Sequence, residues 1–285
     1  MMTTTVTGRV LAAENTDAAR FDRLRVGNLA VGMVHLVQAL VILALSNDFG
    51  LPVTGTYLQG PPGGDIPAIP IFEGNLPVGN LVGVFLLMAA LDHLLVSMPG
   101  VFGWYRRNLR RGVNYARWYE YTFSATLMII LICALSGIGD IAALVGIGGA
   151  NGAMIFFGLL MERFNPHGGA PDRAGRERRA SEARTTDWSP FLFGCFAGII
   201  PWVALVIYTV GAERNASDAE GVPIFVYAIQ TSLFLFFNSF AVNQWLQYRR
   251  VGRWRDYLFG EWVYIVLSLG AKSALAWQIF GATLM

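Results

Sequence analysis

The sequence predicts an all-α membrane protein built from seven transmembrane helices. Three observations predict it. The chain of 285 residues is 54% hydrophobic and only 14% charged, with a mean hydropathy of +0.48, whereas a soluble domain is about 25% charged. Its apolar residues gather into seven runs of about 20 residues, each long enough for a bilayer core of about 30 Å. Its basic charge alternates between the segments that join those runs: one alternate set holds nineteen of the twenty arginines and the other holds only Arg214. Positive charge stays in the cytoplasm. A multi-pass cell-membrane protein with a cytoplasmic N-terminus and an extracellular C-terminus is expected, with residues 1–285 as a single transmembrane domain. No basic start leads into a small-residue cleavage site, so the first span is expected to direct insertion. The halves show no repeat of the inverted-transporter kind.

In chain order, residues 14–25 read as a short amphipathic helix before a first span at about 28–46, which carries His35. A polar Pro/Gly-rich stretch at 47–75 is long for a connection and implies structure of its own on the outer side. Its β-branched and aromatic run 53–58 reads as a strand, and 66–72 as a second strand that its prolines restrict to an edge. The second span, about 78–97, carries Asp92 and His93. An arginine-bearing link, 102–117, leads into a third span that holds Glu120 and ends near Ser136. A Gly137-Ile138-Gly139-Asp140 turn precedes the fourth span, about 141–160. Residues 162–187 read as a solvated, mobile loop. The fifth span, about 188–210, has Pro201 as its expected kink; the sixth and seventh run at about 222–246 and 258–284. Cys133 and Cys195 sit in apolar runs and read as small core residues. Asn215-Ala216-Ser217 is a glycosylation sequon of a kind common by chance.

The seventh span holds the chain's sole lysine, Lys272. An ammonium inside a membrane costs about 2.5–3.5 kcal/mol on insertion scales, so it is paired or deprotonated. A structural ion pair and a cofactor attachment both remain open from this residue alone, because a desolvated lysine is also the usual nucleophile toward a carbonyl compound. The other ionisable groups within spans are His35, Asp92, His93, Glu120 and Glu261. Glu261 lies at the inner edge, where it can reach headgroups. Lys272 lies about 20 Å from the inner end of its span, and Glu120 and His35 about 15 Å from theirs. Glu120 is therefore the natural partner of Lys272. Ser268 stands one helical turn before Lys272, and Ser124 one turn after Glu120. Two buried histidines fit either a small hydrated cavity or neutral rings bonded to neighbouring helices. Trp202, Phe234, Phe236, Phe237, Phe240 and Trp245 suit a dry slot for a flat ligand or ordinary packing.

The motifs Ala116-Arg117-Trp118-Tyr119-Glu120-Tyr121 and Ser268-Leu269-Gly270-Ala271-Lys272-Ser273, with His35, His93 and an inward N-terminus, resemble heliorhodopsin. The resemblance covers essentially all seven spans and implies a microbial-rhodopsin-like bundle. It implies all-trans retinal on Lys272 as a protonated Schiff base, Glu120 as counterion, Ser268 as hydrogen-bonding neighbour, and His35 and His93 as cavity residues. It also implies a homodimer with β-structure from 47–75 at the interface. Asn114, Asn151, Met154, Phe237 and Gln244 are further candidate pocket or cavity residues.

The function expected is a photosensor acting through photoisomerisation, with an unknown cytoplasmic signalling partner. The seventh span carries Ser268 where proton pumps of the rhodopsin kind carry an Asp, and Leu131 stands eleven residues beyond Glu120, so a transport path is poorly equipped. The alternatives are a light-driven or light-gated ion transporter, or a light-dependent regulator of a partner enzyme. No HExxH, nucleophile elbow or paired-acid set points to an enzyme. Lipid is an expected partner and nucleic acid is not.

Overall fold

The computed structural model describes residues 2–58, 60, 68–166, 185–215 and 224–284, with side chains placed from residue 17 onward except at 68, 224 and 225. Its elements are α1 (Met2–Leu45), β1 (Gly50–Leu58), β2 (Ala68–Pro77), α2 (Val78–Leu95), α3 (Val101–Arg110), α4 (Tyr115–Leu135), α5 (Ile141–Phe164), α6 (Ser189–Asn215), α7 (Ile224–Tyr248) and α8 (Tyr257–Gly281). A single 3-10 turn at Gly252–Arg255 joins α7 to α8.

Among the described residues six helices are long and apolar enough to cross a membrane: α1 from Asp17, α2, α4, α5, α6 and α8. The 25 residues of α7 span about 37 Å at 1.5 Å each, so it also has the length. Its apolar run is broken by amides, of which Asn243, Gln244 and Gln247 are buried and turned inward. The first helix is continuous. No proline interrupts residues 2–45, so the segment expected as a separate amphipathic helix simply extends the first span.

The seven long helices close into a ring in the order α1, α2, α4, α5, α6, α7, α8. At the arginine-bearing end, Arg20 pairs with Asp256 and Arg25 donates to the Ser97 carbonyl at 2.8 Å. The short helix α3 lies at this end, outside the ring, where Arg110 covers the Phe21 ring. At the opposite end β1 and β2 form an antiparallel hairpin. Both strands are edges, which accommodates Pro52 and Pro70. The hairpin is tied to the bundle where Thr54 N–H donates to the Gly139 carbonyl at 2.8 Å.

Local chemistry sets the helix ends. Asn114, Asp140 and Asp256 cap α4, α5 and α8 by accepting from Arg117, Ala143 and Leu258 N–H. Helix α4 stops at Gly137, whose φ of +93° only glycine adopts without strain. Gly137 N–H bonds the Ala134 carbonyl and Ile138 N–H the Cys133 carbonyl, the pairing of a Schellman end.

The half of the bundle nearer the hairpin is filled by Ile42, Val82, Phe85, Met128, Leu131, Leu275 and Phe280, all within 4% exposure. Large apolar residues such as Phe196, Phe123 and Ile207 are 62–76% exposed on the outer wall, as a lipid solvent requires. Helices α1 and α2 approach closely because Gly79-Asn80-Leu81-Val82-Gly83 presents small residues at four-residue spacing. A Cβ added at Gly83 would lie 2.6 Å from Leu43. Gly83→Val should therefore push α1 from α2 and destabilise the fold by about 1–3 kcal/mol, read as a lower thermal midpoint in detergent.

Candidate functional site

Lys272 stands about 22 Å along α8 from Tyr257. Its Nζ donates to both oxygens of Glu120 at 2.6 Å and to Ser124 Oγ at 3.0 Å. Glu120 and Ser124 lie four residues apart on α4, hence on one face. The Lys272 and Glu120 side chains are 6% and 8% exposed, so the pair is almost sealed from solvent. The Tyr121 and Phe85 rings lie 4.8 and 5.5 Å from Nζ. An acid, a hydroxyl and two ring faces thus compensate an ammonium at a depth where alone it is costly.

One turn before Lys272, Ser268 Oγ lies 2.9 Å from His93 Nε2. His93 Nδ1 lies 2.6 Å from Asn28 Oδ1, and the fully buried His35 stacks on His93 with ring centroids 5.9 Å apart. Ser268 thus bonds His93, while Ser124 is the hydroxyl that bonds Lys272.

Toward the arginine-bearing end lies a second charged set. Arg117 makes ion pairs with Glu162 and Glu261, and all three are within 4% exposure. Asn114 donates from Nδ2 to Glu261 at 2.8 Å and from its backbone N–H to Glu162 at 2.9 Å. Trp118 Nε1 donates to Glu162 at 2.7 Å. The Arg117 guanidinium lies 3.8 Å from the Tyr264 ring centroid. Two carboxylates share one guanidinium, and neutral donors spread the remaining negative charge.

Next to Lys272 opens a cavity of about 270 Å³, close to the lower end of the roughly 300–1,000 Å³ usual for small-molecule pockets. Its walls are mainly apolar and aromatic, with Trp118, Tyr121, Trp202, Phe234, Phe237 and Phe240 prominent. Met154, Asn151 and Gln244 also line it. Asn151 donates to Thr126 at 3.0 Å and Gln244 to the Gly158 carbonyl at 3.0 Å, so both amides turn part of their polarity away from the cavity. A mainly apolar slot with a primary amine beside it fits a long, flat, apolar aldehyde.

The structure brings Lys272, Glu120 and Ser124 together, joins Ser268 to His93 and His35, and sets Asn151, Met154 and Phe237 along the cavity. Other expectations change. Glu261 does not reach headgroups; it is 1% exposed and paired, because Arg117 from α4 meets it inside the bundle. Glu162 is not part of a solvated loop: α5 runs on to Phe164 and buries it completely. Of that expected loop, 167–184 lie outside the described residues, as do Ala216 and Ser217 of the sequon and Ile66 and Pro67 of the expected second strand. Asn114 caps α4 and serves the second charged set, not the large cavity. Cys133 is buried, but Cys195 is exposed on α6, where it borders the large cavity instead of packing in the core. Sequence reasoning missed the Arg117–Glu162–Glu261 set. Its available signal was Arg117, three residues before Glu120 on one apolar helix.

Removing Arg117 leaves two buried carboxylates facing each other. Arg117→Gln should cost about 3–5 kcal/mol, a fall in melting midpoint on the order of 10 °C for a chain of this size. Adding Glu162→Gln should recover part of the loss in the same thermal scan.

The same bundle occurs in distant proteins. A cyanorhodopsin from the cyanobacterium Tolypothrix sp. NIES-4075 superposes with a TM-score of 0.56 at 14% identity, over 91% of this chain and 94% of that one. Exiguobacterium sibiricum rhodopsin gives 0.53 at 14% identity, over 94% and 96%. At such identity the likeness establishes the fold alone. Comparison with curated protein sequences finds no match. A family profile for heliorhodopsins matches residues 24–284, which takes in every element of the site: the chain belongs to the heliorhodopsin family.

Proposed function

We propose that this protein is a photosensor that carries all-trans retinal on Lys272 as a protonated Schiff base, and that it moves no ion across the membrane. The observation that carries the reading is the Lys272 amine, held by both Glu120 oxygens at 2.6 Å beside a mainly apolar, aromatic cavity. When bound, retinal supplies visible absorption and light-driven rotation about a double bond.

The residues of the chain supply the rest. Glu120 balances the positive charge on the Lys272 nitrogen, which keeps a proton there in the dark. Trp118, Tyr121, Phe237 and Phe240 exclude water and restrict motion along the slot. Ser268, His93 and His35 form a buried polar set that takes up a proton leaving Lys272 and holds it within the bundle. The half toward the hairpin is filled with apolar side chains, including Leu131 at 0% exposure, which leaves little for an ion to follow. Light then changes the fit of the helix ends, and the arginine-bearing end is the surface a cytoplasmic partner would read.

The arginine distribution supports an inward N-terminus. The hairpin would then stand outside the cell, where it exposes Tyr57, Leu58, Ile71 and Phe72 at 45–65%. A second copy of the chain covering this apolar face accounts for it and supports a homodimer.

Purified protein mixed with retinal should be coloured, and Lys272→Ala should abolish the visible band; colour retained in that variant would refute covalent attachment. Glu120→Gln should shift the band to longer wavelength, because the ground-state charge loses its partner; an unchanged spectrum would assign the counterion elsewhere. Illumination under voltage clamp should produce no photocurrent, and a sustained current would make the protein a transporter.

A further inference from the structure

The carboxylate of Asp92 makes no hydrogen bond or ion pair among the described residues, although it lies within a transmembrane helix. It borders a second, small cavity of about 20 Å³, shared with Asn28, His93, Asn114, Arg117 and Glu261. A single water needs about 10–15 Å³ and two to four polar partners, and this cavity offers both. It lies on the arginine-bearing side of Lys272, since Asp92 is three residues from the end of α2 and Glu261 four residues into α8. The cavity therefore stands between the Lys272–Glu120 pair and the Arg117–Glu162–Glu261 set.

The hydrogen bonds around His93 have a direction. Asn28 Nδ2 donates to the Leu24 carbonyl at 2.9 Å, which turns its Oδ1 toward His93. His93 Nδ1 therefore carries the hydrogen, and Nε2 offers its lone pair to the Ser268 hydroxyl at 2.9 Å. A ring in this state can take a proton at Nε2, on the Lys272 side, and give one up from Nδ1 once that N–H turns from Asn28 Oδ1 to a water in the cavity, which Asn28 and His93 both line.

We infer that Asp92 is the terminal proton acceptor of the site, reached from Lys272 through Ser268, His93 and one water in the small cavity. This rests on the reading that Lys272 carries the chromophore. The proton leaves the Lys272 nitrogen, converts the Asp92 carboxylate to a carboxylic acid, and returns by the same route in the dark. Nothing crosses the membrane. The charged and titratable groups around Asp92 are Arg117, Glu120 and Tyr121 from α4, Glu261, Tyr264 and Lys272 from α8, Tyr105 from α3, His93 from α2 and His35 from α1. Glu162 and Glu261 are held by Arg117 and by neutral donors, so a proton on either would weaken existing bonds. Asp92 gives up no protein hydrogen bond on accepting one.

The test is light-minus-dark infrared spectroscopy on the full chain loaded with retinal. A carboxylic C=O band should rise together with the blue shift that reports loss of the proton at Lys272. Asp92→Asn should lose that band, Asp92→Glu should move its frequency, and Glu162→Gln and Glu261→Gln should leave it in place. Asp92→Glu keeps the carboxyl and decides the matter if Asp92→Asn fails to fold. Persistence of the band unchanged in either Asp92 variant, or a blue shift with no carboxylic band, would overturn the inference. A high-resolution dark-state structure should show an ordered water bonded to Asp92, and a dry cavity would overturn the inference too. Colour that survives Lys272→Ala would instead overturn the chromophore reading beneath it.

Discussion

Burying a cation in a bilayer is the constraint on which the structure turns. The Lys272 side chain is only 6% exposed, so the fold must supply its solvation, and Glu120 supplies most of it through two oxygens at 2.6 Å. Much else follows from that need. Helix α4 must face α8 at this depth, Ser124 must follow Glu120 by one turn, and the space beside the amine must stay dry enough for the pair to remain intact. A charge pair in such surroundings responds strongly to any change in its geometry, because little solvent screens it. The proposed photosensor role draws on that sensitivity.

Helix α4 organises both charged sets. Its Glu120 and Ser124 meet Lys272, while Arg117, one turn earlier, meets Glu162 on α5 and Glu261 on α8. The two sets stack along the bundle axis, with His93 and the small cavity beside them on the α2 side. The neutral pair lies deeper, and the set with an excess carboxylate lies nearer the arginine-bearing end. Apolar packing closes the other half. The buried charges thus lie toward one end, while the other half holds mainly apolar side chains with a few neutral amide and hydroxyl pairs, an asymmetry in keeping with the proposed proton movement on one side.

Much of this was legible in the sequence because the membrane simplifies the reading. Each run of about 20 apolar residues has one structural use, and the arginine asymmetry sorts the connections. A lysine within such a run must have a partner, and Glu120 stood at the matching depth. The Ser268 hydroxyl was placed on the right face, but helical spacing could not say that His93 would bond it and leave Ser124 for Lys272. From the sequence Glu162 reads as loop because it adjoins a charged stretch. Only the packing of α5 against α4 shows that it points inward. The position of Glu261 in its run points to headgroups, yet a helix end is wet only where no neighbour covers it. Such errors share one cause: sequence periodicity gives depth and face, but not which helix stands opposite.

Mass spectrometry of the coloured protein after borohydride reduction tests the central claim most directly. A retinyl group should appear on the peptide that contains Lys272. Full colour before reduction together with an unmodified Lys272 peptide afterwards would contradict it.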